Sequence, residues 1–178
     1  DDSSEDDDSE YEDVPLKEML EGCICCSGSE KTEAQIQSLL HGAQFDDLII
    51  ETTGAAHPVE ALDAVYSPLF ADQLNVKGIV TVADSSLWLN KTTLSPQARM
   101  LFIEQIRHAH VILLNKIDLL TEAEVAQVTT EVQNLNPNAF LLQTVNGKVP
   151  YSVLQNMQAT VRIEKEAINP VKIGGDFA

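Results

Sequence analysis

Apolar residues recur along this chain at two different spacings. In residues 30 to 41, EKTEAQIQSLLH, Ala34, Ile36, Leu39 and Leu40 fall near helical spacing, and Gly42 follows as a stop. Asp47 to Glu51, DLIIE, is a short apolar run that predicts a strand ending in a carboxylate. Pro58 to Val65 predicts a helix with proline in its first turn. Val76 to Asp84, VKGIVTVAD, and Val111 to Asp118, VILLNKID, are β-branched and nearly continuous in apolar character, as strands covered on both faces are. Pro96 to Ala109 predicts a helix, Thr121 caps another running to about Leu135, and Ala139 to Thr144 predicts a last strand. Strands separated by helices imply βαβ crossovers, so the expected fold class is α/β, a mostly parallel sheet flanked by helices.

In such sheets ligands gather beyond the carboxyl ends of the strands. The polar residues expected there are Glu51 to Gly54, Asp84, Asn115 with Lys116 and Asp118, and Thr144 with Asn146 and Gly147. NKID, directly after an apolar strand, is an N-K-x-D pattern. A carboxylate at its fourth position can accept two hydrogen bonds from guanine N1 and the exocyclic amine, a pair that adenine does not offer. The lysine stem can cover the base, and Asn115 can brace the neighbouring loops. The plainer reading is a strand end whose Asp118 caps the next helix. ETTG fits the nucleotide scheme, because Glu51 can hold a magnesium-bound water and a glycine amide lets a γ-phosphate approach closely.

Charge separates off one end. The net charge is −17, and Asp1 to Asp13 supplies nine carboxylates and no cation, so the remainder carries −8. A block of like charge buries nothing, and residues 1–13 are expected to be a disordered acidic tail, either a solubilising segment or a weak site for hard cations. So acidic a chain excludes nucleic acid as a partner. No run of about 18 apolar residues predicts a membrane span, and no signal peptide is visible. All three cysteines, Cys23, Cys25 and Cys26, crowd into EGCICCSG. That is a poor disulfide framework and suits a reducing, cytoplasmic setting. The turn reads as inert buried thiols, as a Cys23–Cys26 redox pair, or as a soft-metal site in which three thiolates leave one tetrahedral position open.

EGCICC, FDDLIIETTGAAHP, GIVTVADS and VILLNKIDLL, in that order between about Leu20 and Gly147, resemble the CobW-type branch of P-loop GTPases, relatives of the hydrogenase and urease nickel-insertion GTPases. The resemblance implies a P-loop NTPase-like fold and a metallochaperone delivering zinc or cobalt to a metal-requiring client protein. It implies Cys23, Cys25 and Cys26 as ligands of Zn²⁺ or Co²⁺. Glu51 and Gly54 would be the catalytic switch that senses γ-phosphate and Mg²⁺, and Asn115, Lys116 and Asp118 would hold the guanine of GTP. Residues 14–160 would be the GTPase domain and 161–178 a linker or tail.

The chain departs from the pattern in one large respect. It contains no G-x-x-x-x-G-K-[ST] loop to cradle phosphates. In GSEKT, Glu30 stands where the loop needs its second glycine, and NKTTL at Asn90 to Leu94 has no preceding glycine and follows a helix-like stretch. The family's usual second domain is also missing, and His57 and His110 stand where the family more often carries Asp. His57, just after ETTG, is either polar lining or a fourth ligand that a loop swing brings to the thiolates. The expectation is an incomplete GTPase, a fragment or a member whose first strand gave way to the acidic run, with hydrolysis impaired or absent. The alternative is a non-catalytic metal-binding or regulatory domain that keeps the GTPase fold.

Overall fold

The computed structural model describes residues 29–42, 45–63, 65–155 and 157. The acidic run, the three cysteines and the stretch 161–178 lie outside the described residues. The chain divides into two units, one made of residues up to Asn75 together with Leu94–His108, the other of Val76–Thr93 together with the chain from Ala109 onward.

In the first unit, α1 (Ser29–Gly42) turns Thr32 and Ile36, four residues apart, into buried positions. Residues 45 to 57 follow without regular structure, and α2 (Pro58–Asp63) is shorter than the sequence predicts. The strand expected at Asp47–Glu51 is not formed. The segment has no ladder partner among the described residues, and Ile49 is 76% exposed. Apolar patterning predicts an extended segment, but only a neighbouring backbone makes it a strand. A 3₁₀ turn at Pro68–Phe70, capped by Ser67, buries Phe70. α4 (Pro96–Arg107) starts at Ser95, whose hydroxyl accepts the Ala98 N–H at 3.2 Å, and buries Phe102 and Ile106 on one face.

The second unit holds a three-stranded parallel sheet in the order β1 (Val80–Asp84), β2 (Val111–Asn115), β3 (Phe140–Gln143). Val80 pairs with Val111 and Asp84 with Asn115; Val111 pairs with Phe140 and Leu114 with Gln143. β2 lies in the centre and buries Val111 to Leu114 without a break, as a strand flanked on both edges does. Two predicted strands are trimmed. The first begins at Val80 rather than Val76, and the second ends at Asn115 rather than Asp118, because Lys116 adopts a left-handed backbone (φ 61°, ψ 33°) that no strand accommodates.

α3 (Ser85–Leu89) follows β1 directly, and α5 (Glu122–Leu135) carries the chain from β2 to β3, burying Val128 and Val132. The expected start at Thr121 is a full capping box. Its hydroxyl accepts the Glu124 N–H, and Glu124 accepts the Thr121 N–H in return. α3 and α5 are joined through Glu131, which accepts from Trp88 Nε1 at 2.9 Å, from Lys91 Nζ at 2.7 Å and from Gln127 at 2.9 Å. The Lys91 ammonium also lies 4.7 Å from the centre of the Trp88 ring. α6 (Ser152–Gln155) ends the described structure apart from Met157. Met157 packs so closely on Gly78 that a Cβ there would lie 2.6 Å from its terminal methyl.

Candidate nucleotide site

The parallel register brings the ends of β1 and β2 level, so Asp84 and Asn115 are neighbours. Asn115 Oδ1 accepts from Thr144 Oγ1 at 3.2 Å and from the Gly147 N–H at 2.9 Å. One side chain thereby braces the loop after β3, as the sequence suggests. The Gly147 N–H is presented by a turn from Val145 to Lys148 whose two central residues, Asn146 and Gly147, both have positive φ (54° and 67°). Asparagine and glycine are the residues that tolerate this turn.

Left-handed Lys116 redirects the chain out of the sheet into a 3₁₀ turn, Ile117–Leu119, with Asp118 in its first turn. Lys116 Nζ donates to Asp84 Oδ2 at 2.7 Å, and Asp84 Oδ1 accepts the Leu87 N–H at 2.9 Å, capping α3. Partial burial pushes the Asp84 carboxyl up, but the Lys116 ammonium and the Leu87 N–H outweigh it, so its pKa lies below the ordinary value. The hydrogen bond that Lys116 donates to Asp84, and then the charge of Asp84, raise the Lys116 pKa in turn. Asp118 is exposed, and its carboxylate has no partner among the described residues. The loop therefore offers one carboxylate free to accept hydrogen bonds, beside a lysine whose charge is matched by a different acid.

Glu51 and Gly54 belong to the other unit. Both are exposed, and the Glu51 carboxylate has no partner among the described residues. The Ala56 N–H closes a turn on Thr53 O at 2.9 Å, and a Cβ at Gly54 would meet nothing within 4 Å, so an incoming group can reach its backbone. Gln105 on α4 donates from Nε2 to Gly54 O at 3.0 Å and to Ala56 O at 3.1 Å. His57 Nδ1 accepts the Val59 N–H at 3.3 Å, and its ring centre lies 6.1 Å from that of His108. His110, at the opposite end of β2, accepts the Ile79 N–H on Nδ1, and burial lowers its pKa. The rejected lookalike NKTTL sits on no strand: Asn90 caps α3 and Lys91 is held by Glu131.

Sequence reasoning missed Gln105, since nothing in a helical pattern marks one glutamine among others. It placed Asp84 on the rim without its bond to Lys116. Among the described residues no group of three His, Cys, Asp or Glu side chains is placed to hold a metal, and Cys23, Cys25 and Cys26 lie outside them. No helix among those residues is long and apolar enough to cross a membrane.

The model of the CobW/HypB/UreG nucleotide-binding domain matches residues 2–143. The chain belongs to this family. Its three-stranded parallel sheet with helices accords with the P-loop NTPase-like fold expected of a member. Zinc-regulated GTPase metalloprotein activator 1 of Dictyostelium discoideum is 29% identical over 160 residues, which cover 78% of this chain and 34% of that protein. The zinc chaperone YeiR of Escherichia coli strain K12 is 28% identical over 134 residues, 75% of this chain and 40% of its own length. The zinc chaperone CobW of Pseudomonas aeruginosa is 25% identical over 166 residues, 82% and 44% respectively. The chain thus spans less than half the length of these relatives. No solved structure matches it.

Proposed function

We propose that this chain is the guanine-nucleotide-binding part of a zinc metallochaperone, in which Asn115, Lys116 and Asp118 take the base and Cys23, Cys25 and Cys26 take the metal as cargo for a client protein. The observation that carries the nucleotide reading is the exposed Asp118 carboxylate, without a partner among the described residues, on the loop after β2, where the Lys116–Asp84 pair anchors its start and Asn115 ties the neighbouring loop after β3. An acceptor pair held in that way suits guanine N1–H and its amine. Glu51 and Gly54 fit the γ-phosphate switch, since the carboxylate is free to hold a magnesium-bound water and the glycine is open to approach. Magnesium would supply charge neutralisation of the phosphates. The zinc assignment is supported by three cysteines within four positions of sequence and by the names of the relatives.

Hydrolysis by these 178 residues is not part of the proposal. Phosphoryl transfer depends on a positioned phosphate cradle and its lysine. Neither GSEKT nor NKTTL supplies one, and Lys91 is engaged elsewhere.

The purified chain is expected to bind guanine nucleotides with a Kd on the order of millimolar, from base contacts alone, and to show no magnesium-dependent GTP turnover. Asp118→Asn is expected to weaken guanosine binding and to favour xanthosine, whose carbonyl replaces the guanine amine and accepts from the new amide. NMR titration with both nucleosides decides the matter. Equal response of wild type and variant to guanosine removes the base assignment, and GTP turnover that Asp118→Ala abolishes removes the non-hydrolysing one.

A further inference from the structure

Among the described residues the loop from Glu51 to His57 has neither a ladder nor a packed glycine to hold it, yet three of its peptide planes are fixed. Each trans peptide is a rigid plane, so pinning its carbonyl also fixes the N–H on the other side of the bond. Thr53 O is pinned by the Ala56 N–H, which orients the Gly54 N–H. Gly54 O and Ala56 O are both pinned by the single amide nitrogen of Gln105, at 3.0 and 3.1 Å, across about fifty residues of sequence. Gln105 is itself half-buried on a helix anchored by buried Phe102 and Ile106. Its two amide hydrogens match two carbonyls that the closed Thr53–Ala56 turn brings within reach together.

We infer that Gln105 is the positioning residue of this loop: by giving both amide hydrogens to Gly54 O and Ala56 O it fixes the Ala55 and His57 N–H groups directly and latches closed the Thr53–Ala56 turn, which in turn orients the Gly54 N–H. A Cβ at Gly54 would meet nothing within 4 Å, and glycine tolerates a wide range of backbone angles, so hydrogen bonds rather than sterics select its conformation. The consequence for γ-phosphate sensing rests on the nucleotide reading above, whereas the latch rests on the geometry alone. A ligand that needs a different Gly54 orientation must open this latched turn, and one that accepts the present orientation meets a preorganised donor.

The test compares wild type, Gln105→Leu and Gln105→Glu in the nucleotide-free 178-residue chain by amide hydrogen exchange, each rate taken relative to its intrinsic value. In Gln105→Leu the Ala56 amide should exchange about tenfold faster, the loss expected when a hydrogen-bonded clamp is removed, while Ile112 to Leu114 in β2 stay as protected as in wild type. In Gln105→Glu at neutral pH the carboxylate has no hydrogen to give, and Ala56 should behave as in Gln105→Leu. On acidification the protonated acid regains one donor, and Ala56 protection should return in part, a pH profile that simple loss of packing does not produce. Unchanged Ala56 exchange in Gln105→Leu, or faster exchange in Ala56 and β2 together, overturns the assignment. Should Gln105→Leu fail to fold, the profile of Gln105→Glu decides alone, and a flat one overturns it. With nucleotide absent, failure here leaves the guanine reading standing, and failure of the Asp118 titration leaves the latch standing.

Discussion

Cys23, Cys25 and Cys26 carry the sharpest residue-scale prediction, because thiolate–metal chemistry reports itself by colour. Reduced protein is expected to take one Co²⁺ per chain and to develop thiolate-to-cobalt charge-transfer bands. Changing all three cysteines to serine should abolish those bands. A full cobalt spectrum in the triple variant means the metal lies elsewhere. At this scale the sequence was informative where chemistry is local. An N-K-x-D after an apolar strand pointed to Asn115 as a brace, and its bonds to Thr144 and Gly147 bear that out. The Asp84–Lys116 pair and Gln105 were not legible, because both join residues more than thirty positions apart and depend on register and helix phase that no single segment encodes.

Among elements, α5 is the one whose start the sequence specified most fully: Thr121 followed three residues later by Glu124 is the pattern of a reciprocal cap. Thr121→Ala removes the acceptor for the Glu124 N–H and should destabilise the protein by about 1 kcal/mol, measured as a lower urea midpoint at unchanged slope. No shift in the midpoint means that the cap is idle. The central strand was equally legible, since four consecutive buried residues leave little alternative. DLIIE shows the limit of such patterning. A strand is a relation between two segments, and the apolar run specifies only one of them. The premature end of β2 has a different cause, a single left-handed lysine that hydropathy does not register.

For the molecule as a whole, Glu131 couples fold to pH. Hydrogen bonds from Lys91, then Gln127, with Trp88 adding to them against the opposing effect of burial, lower its carboxyl pKa to about 2 from an ordinary 4.5. A carboxyl depressed in the folded state binds its proton more readily when unfolded, so its stabilising effect is complete above about pH 4.5 and is lost as pH falls towards 2. Its side chain is 35% exposed, so solvent screening keeps the effect modest. Urea midpoints at pH 6 and pH 3 should differ less in Glu131→Gln than in wild type, and an equal difference argues that the network contributes nothing to acid sensitivity. The division into two units has a consequence of another kind. The backbone passes from one unit to the other after Asn75, after Thr93 and again after His108, so that the Leu94–His108 segment of the first unit is spliced between β1 and β2 of the second. Neither unit corresponds to a continuous stretch of gene. A single truncation cannot liberate either one intact, cassette exchange between relatives at one junction mixes parts of both, and on the ribosome the first unit is not complete until β1 of the second has already been made.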